Sequence, residues 1–500
     1  MCTADATGPH LRRRRPPVGG GGGGERTGSS AADESGTPTI GKNDGRAAGG
    51  SCIVGPAPTT DPPPVHSSGV DFYPPSTRYW RIGRKWYDFT DFLHRHPGGS
   101  EVLLLLRDRF EDCTFAFESH HLNYKRARKI IAKYEVDESV VESHSSKDVQ
   151  RRRPGNKTAN GGVVGEPPEL LDDHAFYSVI RRRVADHLRE SGYPSGEPKL
   201  ECKVLFWVAF ILMVSCYAWL LSSASVPSAI AFGLTSAWLG AFGHNWVHQS
   251  KYRFWAYLSL DMIGFSSDGW FREHNLQHHM YTNTPWDNHY EGTAPFLVTD
   301  PTIERNWIQA YVLPYVNPII LSFGLYGNYF FNLTEMIKGN EKITPWKAVL
   351  PLEIGIMAWR WGAWRGLSLM YLSHAILCVY YFTMALMNHN TEKCLDVSKR
   401  NSAKDWGEAQ LHVSADWSVG LPFHRAFIYL WLNYHTVHHL FPLVDMSHHP
   451  AIQRILIRTC KEFGVEYSVK SPLEIYRQMV RTFGTPMSLM EEITVYGGGI

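Results

Sequence analysis

Cysteine is scarce and scattered. The eight residues at positions 2, 52, 113, 202, 216, 378, 394 and 460 show no C-x-x-C spacing, which argues against a disulfide framework and against cysteine-ligated zinc, and suits a reducing compartment. Charge imbalance is missing too. A net +2 over 500 residues points to no polyionic partner, and the arginine runs read as solvated charge or attraction to anionic lipid, with no nucleic-acid site. No apolar h-region follows the basic run in "RRRRPPVGGGGGG", so no signal peptide is expected. Apolar side chains are few over the first seventy residues, and 1–70 is expected to be a disordered low-complexity tail.

Charge is absent in another way further on. Val204 to Gly243 carries no Asp, Glu, Lys or Arg, twice the roughly 20 residues that cross a bilayer. Two spans are expected there, with "SSASVPS" at 222–228 as the hairpin between them. Ala310 to Leu333 and Leu367 to Asn388 are uncharged as well, the latter interrupted only by His374. They bring the expectation to four spans. "FWAYLSLDMIGF" at 254–265 is too short and carries Asp261, which suits an interfacial or re-entrant segment. An even number of spans puts both chain ends on one side, and Arg12–Arg15, Arg151–Arg153 and Arg181–Arg183 favour the cytosol for it. The loop 334–365, then lumenal, disagrees: it carries Lys338, Lys342, Lys347, Arg360 and Arg365. Two readings reconcile it: the loop lies at the interface, or it hides a pair of short spans around "AVLPLEIGIMAW". Asn332 in "NLT" is a weak glycosylation match.

The remaining chain divides by composition. A small domain is expected over 71–138, a Pro- and Gly-bearing flexible linker over 139–168, a membrane domain over 169–465 and a cytosolic tail over 466–500. "HAFYSVIRRRVADHL" sets Phe176, Tyr177, Ile180, Val184 and Leu188 at helical spacing opposite arginines, which suits a helix lying on the membrane.

Histidine is abundant where charge is not. "HNWVH" gives His244 and His248, "HNLQHH" gives His274, His278 and His279, and "YHTVHHLFP" gives His435, His438 and His439. Spacings of three and four residues put imidazoles on one helix face. Three such clusters on one expected side of the membrane point to metal. Eight imidazoles exceed the four ligands usual for one zinc ion and would satisfy two metals; iron, copper, zinc and nickel all remain open by ligand type.

The HxxxH, HxxxHH and HxxHH run, with "HHMYTNT" and "LNYHTVHHLFP" around it, resembles the integral-membrane fatty-acid desaturase and hydroxylase superfamily. That resemblance implies two non-haem irons activating O2, as co-substrate, to abstract hydrogen from an acyl chain, with the eight box histidines in the site. "MNHN" resembles the family's His-Asn after its last span, which makes His389 a ninth ligand. His374 could be a packing residue, and His412, His424, His448 and His449 are treated as bystanders. "WYDFTDFLHRHPGGSEVL" at 86–103 and "DCTFAFESHH" at 112–121 resemble cytochrome b5. This implies an α+β haem-b domain with His96 as one axial ligand and His121, by local alignment, or His120, by raw spacing, as the other. Two axial imidazoles leave no position for O2, so such a haem passes electrons.

The implied architecture is an N-terminal α+β cytochrome b5-like domain tethered to an α-helical membrane desaturase domain of about four spans. The implied activity is fatty-acyl desaturation at the endoplasmic reticulum membrane, on acyl-CoA or phospholipid-linked substrate, with electrons from NADH-cytochrome b5 reductase. Two departures stand out: His435 where fused front-end desaturases have glutamine, and three residues rather than two between His274 and the His pair. They make the chain look most like insect-type cytochrome b5-related proteins. Hydroxylation of a fatty-acyl chain or sphingolipid on the same scaffold, or a membrane electron carrier with a vestigial iron site, are the alternatives. A metal transporter is disfavoured because the boxes lie outside the spans.

Overall fold

The computed structural model describes residues 78–110, 112–144, 169–284, 287, 289, 292–300 and 303–484. The expected tail 1–70, linker residues 145–168 and the tracts Arg12–Arg15 and Arg151–Arg153 lie outside these.

The small N-terminal unit starts with a tight hairpin. Strands Trp80–Ile82 and Lys85–Tyr87 pair antiparallel, and Glu135–Val136 returns from the end of the unit to pair with the second. Alternation puts Trp80, Ile82 and Tyr87 inward, where Phe89 and Phe117 complete an aromatic core. Short helices Ser100–Arg109, Thr114–His120 and Tyr124–Ile131 close it. The HPGG turn has a steric logic: Gly99 sits at φ 90°, which L side chains avoid, and a Cβ on Gly98 would approach the His96 ring to 2.8 Å.

Three helices among the described residues are long and apolar enough to cross a membrane: Leu200–Ser223, Val226–Trp246 and Ala363–Met387. The first two form the expected hairpin. Ala224 takes a left-handed turn, and Ser225 caps the second helix in a reciprocal pair with Ser228. The third helix packs so closely against the second that a Cβ on Gly233 would strike the Ser373 carbonyl, the small-residue contact typical of membrane helices.

The uncharged run 310–333 is not the single span expected. Pro314 and Pro318 cannot continue a helix, and the stretch breaks into Trp307–Tyr311, Asn317–Leu321 and Gly324–Ile337. It reaches in along helix Ala363–Met387, where the Leu325 amide meets Cys378 Sγ at 3.2 Å and Tyr326 Oη meets His374 Nδ1 at 2.9 Å. It then returns to the histidine end, where Glu341 pairs with Arg272 and Lys347. Helix Val349–Trp361 leads away from the histidine end and turns at Gly362 into Ala363–Met387. Trp361 and Arg365 meet the first hairpin there, donating to the Leu221 and Ala224 carbonyls at 2.9 Å.

This corrects the charge pattern. Lys338, Lys342 and Lys347 sit at the histidine end, with Lys342 reaching Glu101 of the small unit at 3.4 Å, and only Arg360 and Arg365 lie at the far turn. Asn332 is buried, donates to the Asn328 carbonyl at 2.8 Å and faces Gly269, which leaves no room for a glycan.

Two further expectations change. Helix Phe176–Glu190 does not lie with its apolar face on a membrane: Tyr177, Ile180, Val184 and Leu188 are fully buried against Trp406, Val437, Leu440 and Leu456. Helix Pro472–Gly484, inside the expected tail, buries Ile475, Met479 and Phe483 completely against Leu297, Leu321 and Trp417. In both cases a helical apolar stripe found a protein partner.

Candidate metal centre

Each histidine box occupies a helix end. His244 closes the second long helix and His248 follows its last turn. His389 comes just after helix Ala363–Met387, and His435, His438 and His439 lie on the six-residue helix His435–Leu440. The middle box is built differently. Phe271–His278 is a π-helix, in which the His279 amide donates to the His274 carbonyl five residues back. The wider turn absorbs the extra residue between His274 and the pair, and the rings of His274 and His278 stack with centroids 5.1 Å apart.

The ring nitrogens gather into two quartets. One holds His244, His248, His274 and His438; the other holds His278, His389, His435 and His439. Within each quartet the converging nitrogens lie within 4.8 Å of one another, and every residue is buried. His279 belongs to neither quartet but stands between them, with Nε2 3.1 Å from His274 Nε2 and its ring 4.4 Å from His248 of the first and stacked at 4.2 Å on His439 of the second.

Proton bookkeeping shows what these quartets need. His278 Nδ1 faces the Asp287 carboxylate at 2.9 Å, His389 Nδ1 the Val413 carbonyl at 2.8 Å, and His439 Nδ1 the Gln410 side-chain oxygen at 3.1 Å. All three partners only accept, so each Nδ1 carries the proton and each Nε2 presents a lone pair. Yet His278 and His389 hold their Nε2 atoms 3.1 Å apart, and His435 stands between His389 and His439 with Nε2 separations of 2.8 and 3.1 Å. Lone pairs brought that close repel unless a cation lies among them. A metal at about 2 Å from each nitrogen fits that spacing, and the acceptors behind the rings are the partners that orient metal-bound imidazoles. In the first quartet, His244 Nδ1 contacts Tyr381 Oη at 2.7 Å.

Electrostatics favours the ligand form. Burial holds His248, His274, His279, His435, His438 and His439 far below the ordinary histidine range, with crowding by neighbouring imidazoles adding to it. His389 is brought down to about 3, chiefly by burial. Neutral imidazole is the metal-binding form. For Asp287 burial acts upward, but its contact with His278 outweighs this and brings the carboxyl down to about 2.

Some contributors were not evident from spacing. His289 joins His274 and His278 in a third cluster, and Asp287 supports His278; both lie in "WDNHY", just past the middle box, where no helical repeat marks them. Gln410 and Tyr381 come from distant helices and carry no local signal. His374, His412, His424, His448 and His449 enter neither quartet.

In the small unit, His96 and His121 face each other with ring centroids 6.2 Å apart. Two imidazoles bound through about 2 Å bonds on opposite sides of one iron require close to this separation. Each Nδ1 faces a backbone carbonyl, Gly99 at 3.0 Å and Phe117 at 2.8 Å, which leaves both Nε2 atoms free to ligate. His120 instead turns its Nδ1 to Ser119 Oγ and the Ala116 carbonyl.

Comparison with known proteins agrees with this layout. The model of the fatty acid desaturase family matches residues 204–471, more than half the chain and every box. The chain belongs to the fatty acid desaturase family. A cytochrome b5-like heme/steroid binding domain model matches residues 70–139, so this desaturase family member carries a fused cytochrome b5 domain. It is 26% identical over 398 residues to the cytochrome b5-related protein of Drosophila melanogaster, covering 77% of this chain and 83% of that one. It is 27% identical over 428 residues to an acyl-lipid (8-3)-desaturase of Physcomitrium patens, with the same coverage. It is also 27% identical over 339 residues to an sn-1 linoleoyl-lipid 6-desaturase of Arthrospira platensis, covering 59% and 87%.

Proposed function

We propose that this protein is a membrane acyl-lipid desaturase whose two histidine quartets hold two non-haem irons and whose cytochrome b5 domain feeds them electrons. The carrying observation is the convergence of ring nitrogens of His278, His389, His435 and His439 within 4.8 Å, with the Nδ1 atoms of His278, His389 and His439 tied to acceptors so that their Nε2 lone pairs face inward, an arrangement that a bound cation satisfies. Iron bound there supplies the activation of O2 needed to remove hydrogen from an unactivated acyl chain. The chain's own groups do the rest. His244, His248, His274 and His438, with His279 beside them, hold one ion; His278, His389, His435 and His439 hold the other; Asp287, Val413 and Gln410 fix the tautomers of the second set.

The fused domain completes the stoichiometry. The reaction balances when the acyl chain gives up two hydrogens with their two electrons, two further electrons and two solvent protons are supplied, and O2 leaves as two waters; a haem held by His96 and His121 would supply those two electrons one at a time. His96 and His121 would hold a haem between them, leaving it no open ligand position and so confining it to electron transfer. The expected donor is NADH-cytochrome b5 reductase. We place the protein in the endoplasmic reticulum membrane, and a cytosolic side for the haem domain and boxes is supported by Lys338, Lys342 and Lys347 at the histidine end.

The test is elemental iron against haem in detergent-purified protein, followed by product mass with linoleoyl lipids. About three irons per haem and a product two hydrogens lighter are expected. One iron per haem in active preparations would refute the two-iron centre, and a gain of one oxygen would replace desaturation by hydroxylation.

A further inference from the structure

The cytochrome domain is built into the desaturase rather than hung beside it. Leu276 and Met280, on the middle histidine box, are buried in the same apolar cluster as Trp80, Phe89 and Phe117 of the haem domain. Tyr281 packs against Phe110 and Phe115. At the centre of this seam Ser119 Oγ lies 3.5 Å from Met280 Sδ. Ser119 is two residues from the axial candidate His121, and Met280 directly follows His279 and His278. A buried ion pair fixes the register: Glu118 meets Arg181 at 2.8 Å, both side chains 1% exposed, and Arg181 also donates to the Glu118 carbonyl at 2.6 Å.

We infer that electrons cross from the haem to the metal pair through this seam, from the His121–Ser119 segment to Met280, with Glu118 and Arg181 acting as positioning residues that hold the domains in the transferring geometry. The inference rests on the proposed two-cofactor reading. Each passage oxidises one ferrous haem to ferric and adds one electron to the metal pair; pyridine nucleotide, through its reductase, restores the ferrous haem. Apart from that single 3.5 Å contact the route is covalent, and Leu276, Phe117 and Met280 are buried around it. Transfer through such a path depends on packing density, so the volume of the Met280 side chain matters more than its sulfur.

The experiment uses the full-length protein loaded with haem and iron. The haem is photoreduced without O2, then mixed with O2 and a mixture of linoleoyl-phosphatidylcholine and linoleoyl-CoA, and its reoxidation is followed by absorbance. His438→Ala sets the rate of direct haem oxidation by O2. Met280→Ala should slow reoxidation several-fold toward that baseline, with haem spectrum, iron content and reductase-driven haem reduction unchanged, and Met280→Leu should restore it. Ser119→Gly, across the seam, repeats the test should Met280→Ala lose iron. Wild-type reoxidation in Met280→Ala with iron retained, or a Leu variant as slow as the Ala variant, overturns the route while leaving the desaturase reading intact. Wild-type protein no faster than His438→Ala overturns the desaturase reading and the route with it.

Discussion

Asp287→Asn is a sharp perturbation because it leaves every histidine in place. One carboxylate oxygen accepts from His278 Nδ1 at 2.9 Å and from the Asn283 amide at 3.0 Å, and the other accepts from the His289 amide at 2.9 Å. An asparagine has only one acceptor oxygen, so its amide nitrogen must face at least one of those donors. Leaving one such donor buried and unpaired costs about 1–3 kcal/mol. His278 also loses an anion that strengthens it as a ligand, and such outer partners are worth about 10- to 100-fold in metal affinity, roughly 1.4–2.8 kcal/mol. The two estimates agree, so the second quartet should release its ion one to two decades earlier in a chelator titration. The assay is residual iron per haem in purified D287N against graded chelator, with the haem spectrum as internal reference. Iron should fall from three per haem toward two before the first quartet is affected, with turnover lost in step. Iron retention equal to wild type at every chelator concentration would refute the reasoning.

Two other outcomes are expected. His121→Ala should abolish the b-type haem spectrum and His120→Ala should keep it, since only His121 stands opposite His96; reversed spectra would exchange the assignment. Stripped of haem and iron, the protein should lose stability on acidification. His120 and His121 are each lowered to about 4, chiefly by burial, and His389 to about 3. Below the unfolded value of about 6.5 the unfolded chain takes up protons that the fold refuses, so stability is complete above that pH and falls by up to about 1.4 kcal/mol per pH unit per histidine as pH drops toward 4. The check is the unfolding midpoint of the stripped protein at several values between pH 7.5 and 4.5; a flat profile would contradict it.

What could be read in the sequence followed from what repeats locally. His244 and His248, or His435, His438 and His439, share a helix face, and their spacing alone announces it. The HPGG turn and the long uncharged runs are likewise local. The re-entrant stretch was hidden because Ala310–Leu333 is apolar enough to span, and only Pro314 and Pro318 hint that it breaks. Helix Phe176–Glu190 looked like a membrane-surface helix because amphipathicity states that one face is apolar without naming what covers it. The π-helix was legible only as an odd spacing, and Asp287, His289, Gln410 and Tyr381 enter the site through the tertiary fold. His389 stood out from its flanking "MNHN" rather than from any periodicity.

The shared core beneath the middle histidine box bears on how such proteins can be recombined. A fused domain joined only by a tether can be exchanged for a relative's at the tether. Here Leu276, Met280 and Tyr281 complete the haem domain's interior from the far side of the junction, and Glu118 is answered by Arg181 on the desaturase side. A chimera cut in the linker would therefore pair a foreign haem domain with a floor shaped for another. Because the π-helical box shares its quartets with the other boxes and helix Phe176–Glu190 is buried against Trp406, Val437 and Leu456, a working exchange has to carry matching residues on both sides of the seam.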